Sequence, residues 1–168
     1  LGSRWVIVNR HESPLLNLLG VKYLLSHNAE PVSDWDAQYF KYPEEKYKLV
    51  FQYERSQIYE NRQVLPRAFF VHDFRVLGGE QILKTLMGGD FFPQKTLLLE
   101  EQPEREPEAK QGLEQITVNE EVYFQNKVLI KTDSFSDGFL ILTDNFYPGW
   151  QAFIDGEQTK IYRADYTF

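Results

Sequence analysis

The sequence contains no cysteine, which excludes a disulfide framework and any thiolate-held metal. It also lacks a run of about eighteen apolar residues, so no stretch reads as a membrane-spanning helix. The nearest approach, Leu15 to Leu25, is interrupted by Asn17, Gly20 and Lys22. No basic run is present, and the formal net charge is −7. Binding to nucleic acid or to an anionic lipid surface needs clustered Lys and Arg, so neither is expected. Nucleophile-elbow, phosphate-loop, dinucleotide and paired-histidine zinc motifs are missing. There is no secretory signal pattern, and the chain opens on Leu1 rather than Met, so a piece of a larger protein is expected.

What the sequence does hold is aromatic residues. Thirteen Phe, ten Tyr and three Trp make up 15% of the 168 residues. Such side chains suit half-buried pleated surfaces, which tilts the expectation toward β structure. The length suits one domain, or one with an appended subdomain.

Along the chain, Trp5 to Val8 reads as a short strand. Ser13-Pro14 reads as a helix start, with Leu15, Leu16, Leu18 and Leu19 as its apolar stripe and Gly20 as its stop. Val21 to Leu25 follows as a strand. Asn28 to Glu45 lacks periodicity and reads as a long loop. Tyr47 to Tyr53 and Gln57 to Glu60 read as paired strands, and Ala68 to Leu77 as one longer strand. Gly79 to Leu86 has helical spacing, with Gly88-Gly89 at its end, and Thr96 to Leu99 is a buried strand.

Glu100 to Gly112 carries five glutamates and two prolines and reads as a solvated linker or mobile loop. Beyond it lie candidate strands at Gln115 to Val118, Val122 to Thr132, Phe139 to Thr143, Trp150 to Ile154 and Thr159 to Tyr162. Asp155-Gly156 is a two-residue hairpin signal. The expected fold is therefore mainly β with minor α. Residues 1–99 form a small α+β part, 100–112 the acidic linker, and 113–168 a β-sandwich part of jelly-roll or Ig-like type.

Chemistry is sparse. His11, His27 and His72 show no metal-ligand spacing, and His72 next to Asp73 on a strand points to the opposite face. Asp133, Asp137, Gly138 and Asp144 echo a calcium loop only loosely, with Phe135 at a ligand position. No cofactor or metal is expected, and no catalytic residue is assigned. The remaining candidates are aromatic platforms that could stack on sugar rings, Trp150, Tyr147 and Trp35, with Asp144 as a nearby acceptor.

The most specific stretch is Asp144-Asn145-Phe146-Tyr147-Pro148-Gly149-Trp150-Gln151-Ala152-Phe153-Ile154-Asp155-Gly156, followed by Ile161 to Tyr166. It resembles the C-terminal region of YfhO-like bacterial membrane proteins. Leu18 to Leu25 and Leu65 to Val71 match the same family in the same order. The resemblance implies a large polytopic membrane protein similar to glycosyltransferases of the GT-C type that use lipid-linked sugars. The present region would be a non-catalytic accessory domain outside the cytoplasmic membrane. Its implied partners are the membrane-embedded remainder of the parent and envelope glycan or lipid-linked sugar. The family pattern continues past Phe168, so an unpaired sheet edge and an edge-strand dimer are expected. Within Tyr147 to Trp150, Pro148-Gly149 fits a type II turn with Gly149 at positive φ.

Overall fold

The computed structural model describes residues 11–27, 42–88, 90–107, 117–133 and 137–168. The expected strand at Trp5 to Val8 and the residues around Trp35 lie outside them. The chain is mainly β with minor α, and it divides into two compact units, Leu1–Val64 and Leu65–Phe168. The boundary falls at Val64/Leu65 rather than at the acidic segment. The reason is pairing: strands on both sides of that segment bond to each other, so it lies inside the second unit.

In the first unit, helix α1 (Leu15–Leu18) is shorter than the expected helix. Pro14 caps it, and the Ser13 hydroxyl accepts the Leu15 N–H at 3.3 Å. Gly20 stops it at φ 67, a conformation that costs a residue without Cβ little. Strands β1 (Tyr23–His27), β2 (Tyr47–Tyr53) and β3 (Ser56–Asn61) form an antiparallel sheet in the order β1-β3-β2. Leu16, Leu18, Leu24 and Tyr47 are buried. Tyr42 stacks on Tyr59 at 4.0 Å and meets Tyr47 edge-on at 5.6 Å.

Polar groups are built into this small core. Lys46 is buried, and its ammonium donates to the Glu12 and Ser13 carbonyls at 3.3 and 2.8 Å. Burial pulls its pKa down to about 8, with Glu12 opposing the shift. The Tyr47 hydroxyl donates to the His11 carbonyl at 2.7 Å, and burial, reinforced by Tyr42, pushes its pKa up to about 12. The rows Tyr23–Glu60–Lys48, Leu25–Ile58–Phe51 and His27–Ser56–Tyr53 are every second row of the register and so share one face. Tyr23, Leu25, Phe51 and Tyr53 are all more than half exposed, leaving one sheet face rich in uncovered apolar surface.

In the second unit, the expected long strand over Ala68 to Leu77 is two strands. β4 (Ala68–Val71) and β5 (Asp73–Val76) break at His72, where the chain changes partners. The His72 Nδ1 lies 2.9 Å from the Asp137 carbonyl. A Cβ on Gly138 would sit 3.1 Å from the same ring nitrogen, so any larger residue there would have to push the His72 ring aside by a few tenths of an ångström. β5 runs parallel to β6 (Thr96–Leu99), with helix α2 (Gly79–Met87) between them in the chain. Ile82 and Leu86 on α2 are buried, as are Leu97, Leu98 and Leu99 on β6. This is the main core.

Val122 to Thr132 is not one strand either. β7 (Thr117–Tyr123) and β8 (Val128–Asp133) form a hairpin closed by Phe124 N–H to the Lys127 carbonyl at 2.8 Å. β9 (Phe139–Leu142) pairs with β4 rather than with a sequence neighbour. β10 (Ala152–Ile154) and β11 (Glu157–Thr159) form the hairpin signalled by Asp155-Gly156, with φ of 52 and 90 at the two turn residues. The ladders of this unit are two-stranded.

The acidic segment, as far as Pro107, is held rather than free. Lys160 reaches Glu101 at 3.0 Å and Glu104 at 3.6 Å, Arg163 reaches Glu100 at 3.6 Å, and the Tyr162 hydroxyl accepts the Glu104 N–H at 2.9 Å. These exposed pairs each add little stability, but together they give the glutamates a basic counterpart from the C-terminal stretch.

Candidate functional site: an exposed aromatic turn

The connection from β9 to β10 carries three of the four candidate residues: Asp144, Tyr147 and Trp150. It is anchored at both of its first residues. The Arg67 guanidinium donates to the Asp144 carboxylate at 2.8 Å, while Thr143 N–H donates to the Arg67 carbonyl at 2.8 Å. Phe146 N–H donates to the Thr167 carbonyl at 2.7 Å, and the Thr167 hydroxyl lies 3.4 Å from the Asn145 amide oxygen. Asp144 is thus engaged in an ion pair that shapes the loop.

Tyr147 to Trp150 is a hydrogen-bonded reverse turn, with Trp150 N–H to the Tyr147 carbonyl at 3.0 Å. It is not the expected type II turn. The left-handed glycines among the described residues are Gly20 and Gly156, not Gly149. Gly149 is needed for space instead, since a Cβ there would lie 2.8 Å from Cε1 of the Tyr147 ring. Gly149→Ala is expected to displace that ring and to cost about 1 kcal/mol through an off-rotamer side chain. Shifted Tyr147 ring-proton resonances, with unchanged Leu97–Leu99 resonances, would report it.

Trp150 does not begin the next strand, which starts at Ala152. Tyr147 is 68% exposed and Trp150 37%, and the hairpin that follows exposes Phe153 (59%) and Ile154 (66%). The two-stranded β10–β11 ladder leaves both Phe153 and Ile154 exposed. These two apolar residues were missed as site candidates. Their signal was present, in the hairpin dipeptide directly after them.

No cluster of three or more metal-ligating side chains occurs among the described residues, and no helix among them is long and apolar enough to cross a membrane. One carboxyl among the described residues is shifted upward. Asp165 is 1% exposed, and burial raises its pKa to about 7, with the Leu98 N–H bond pulling the other way. Closed off from solvent, it offers nothing to a substrate. A depression of about 300 Å³ near the end of α2 is lined by Arg75, Asp90, Phe92 and Lys95, but the Thr85 hydroxyl on its wall is already spent on the Gln81 carbonyl at 2.8 Å.

Fold and surface together define a mainly β chain of two compact units, the second carrying an anchored, solvent-facing aromatic turn. No protein-family model, no curated protein and no solved structure matches it.

Proposed function

We propose that this chain is a non-catalytic accessory domain that acts by binding, and that the turn Tyr147 to Trp150 is its contact surface. The observation that carries the reading is the exposure of Tyr147 and Trp150 on a loop fixed at Asp144 and Phe146. Rings held rigidly at a surface lose little freedom on stacking, which favours recognition of a sugar face. On the resemblance to YfhO-like proteins, the domain stands on the extracytoplasmic side of a polytopic parent similar to a lipid-linked-sugar glycosyltransferase, and the ligand is an envelope glycan or polymer.

Titration with teichoic-acid fragments and envelope oligosaccharides, followed by tryptophan fluorescence and calorimetric heat, tests it. Saturable binding is expected, weakened at least tenfold by Trp150→Ala in a variant whose far-ultraviolet dichroism is unchanged. Absence of heat at millimolar ligand would remove the glycan reading.

A second reading is docking onto protein, either the membrane-embedded remainder of the parent or a second copy. Phe153 and Ile154, and the face bearing Tyr23, Leu25, Phe51 and Tyr53, favour it, because contiguous exposed apolar surface marks protein contact sites. Concentration-dependent association by light scattering, reduced by Phe153→Ser, is the outcome this reading expects.

A further inference from the structure

The polypeptide from Ala164 to Phe168 folds into a small hook. Ala164 and Phe168 exchange backbone hydrogen bonds at 2.6 and 2.9 Å. Asp165 and Tyr166 between them have φ of 45 and 73, a left-handed conformation that side chains with Cβ adopt only under constraint. The constraint comes from β6. Asp165 N–H donates to the Leu98 carbonyl at 2.8 Å, the Asp165 Oδ1 accepts the Leu98 N–H at 3.0 Å, and Leu99 bridges Ala164. The second carboxyl oxygen, Oδ2, is buried without a hydrogen-bond partner.

The same hook holds the aromatic turn through the Thr167 carbonyl, which accepts Phe146 N–H. One buried carboxyl therefore sits between the core strand and the loop bearing Tyr147 and Trp150.

We propose that Asp165 is a proton-operated latch: protonated, it keeps the hook on β6 and the aromatic turn in place; ionised, it loosens both. A negative charge in this apolar surrounding has a single N–H donor to stabilise it, whereas the neutral acid carries no charge to solvate. The charged groups of the surrounding elements do not relieve it. Arg163, just before the hook, is taken by the Tyr166 carbonyl at 2.7 Å and by Glu100, and Lys160 by Glu101 and Glu104. Burial and the Leu98 N–H bond set its pKa, with no charged side chain of α2 or β5 contributing. The upward shift of the Asp165 pKa to about 7 places the change near neutrality. The consequence for ligand binding rests on the aromatic turn being the contact surface; the latch itself does not.

The test uses the whole chain without ligand. The Asp165 carboxyl carbon is followed by NMR from pH 5 to pH 8.5, together with hydrogen-exchange protection factors of the Leu98 and Phe146 amides, in wild type and in Asp165→Asn. The carboxyl is expected to titrate near 7. Both amides should lose protection at least tenfold across that titration in wild type and stay level in the variant. A carboxyl titrating near 4 would overturn the proposal, as would protection at either amide that ignores the titration. Should Asp165→Asn fail to fold, the wild-type carboxyl and amide curves decide the matter alone. Loss of glycan binding with an intact latch would count against the proposed function and leave the latch standing.

Discussion

As pH rises from 4 to 7.5, the unit Leu65–Phe168 is expected to lose roughly 4 kcal/mol of stability through Asp165 alone. The gap between the ordinary carboxyl value of 3.8 and about 7 in the folded chain sets that size. The sign follows from proton binding. Between those two values the folded chain holds a proton that the unfolded chain has released, so stability falls as pH rises. The contribution is fully present below about 4 and fully lost above about 7, the reverse of an ion-paired carboxylate. Asp165→Asn keeps an oxygen for the Leu98 N–H and removes the titration. It buries an amide without a partner, costing about 1–3 kcal/mol at every pH, but its curve should lack this slope. Denaturant unfolding, followed at Ile82 and Leu97–Leu99 methyl resonances in both proteins, measures the difference. Parallel curves for the two would mean that Asp165 ionises freely.

In the first unit, Asn61→Ala is expected to cost about 3 kcal/mol. Asn61 is 1% exposed and makes three side-chain hydrogen bonds. Its amide nitrogen donates to the Asn17 side-chain oxygen and to the Val21 carbonyl, both at 3.0 Å, and its amide oxygen accepts the Gln63 N–H at 3.0 Å. The residue thus ties α1, the stretch leading into β1, and the exit from β3 together. Each lost bond removes about 1 kcal/mol, and the half-buried Asn17 and Val21 oxygens lose a donor. Asn61→Asp should cost about as much, since a carboxylate keeps only the Gln63 contact and faces two oxygens. Amide exchange across Leu15–Asn61 reads both variants. A cost under about 1 kcal/mol for Asn61→Ala would show that water replaces these contacts freely.

Local chemistry made part of this fold legible. β2 and β6 fall where alternation and a short apolar run placed them. Gly20 stops α1, and Asp155-Gly156 turns a hairpin, because positive φ is written in residue type. The errors arise where partners are distant. Nothing near His72 says that the strand before it pairs with β9 and the strand after it with β6. The run from Val122 to Thr132 is apolar enough for one strand, yet Gln125-Asn126 turns it. The acidic segment looks solvated until Lys160 and Arg163 are seen beside it. Of the site, Tyr147 and Trp150 stood out because a Pro-Gly turn carries them. Asp165 was hidden, since one aspartate among 25 acidic residues gives no sign of burial before the fold is known.

The pairing of β4 with β9 also bears on how the chain folds. Ala68 finds its partner at Leu142, and Leu98 meets Asp165 only when the hook arrives. During synthesis the second unit therefore stands with β4 unpaired and one side of β6 open, while β1, β2 and β3 close on near neighbours. Distant pairings of this kind slow folding toward milliseconds to seconds and prolong the exposure of strand edges. The first unit should be native before the second, and a chaperone or low temperature should raise the yield of the second selectively.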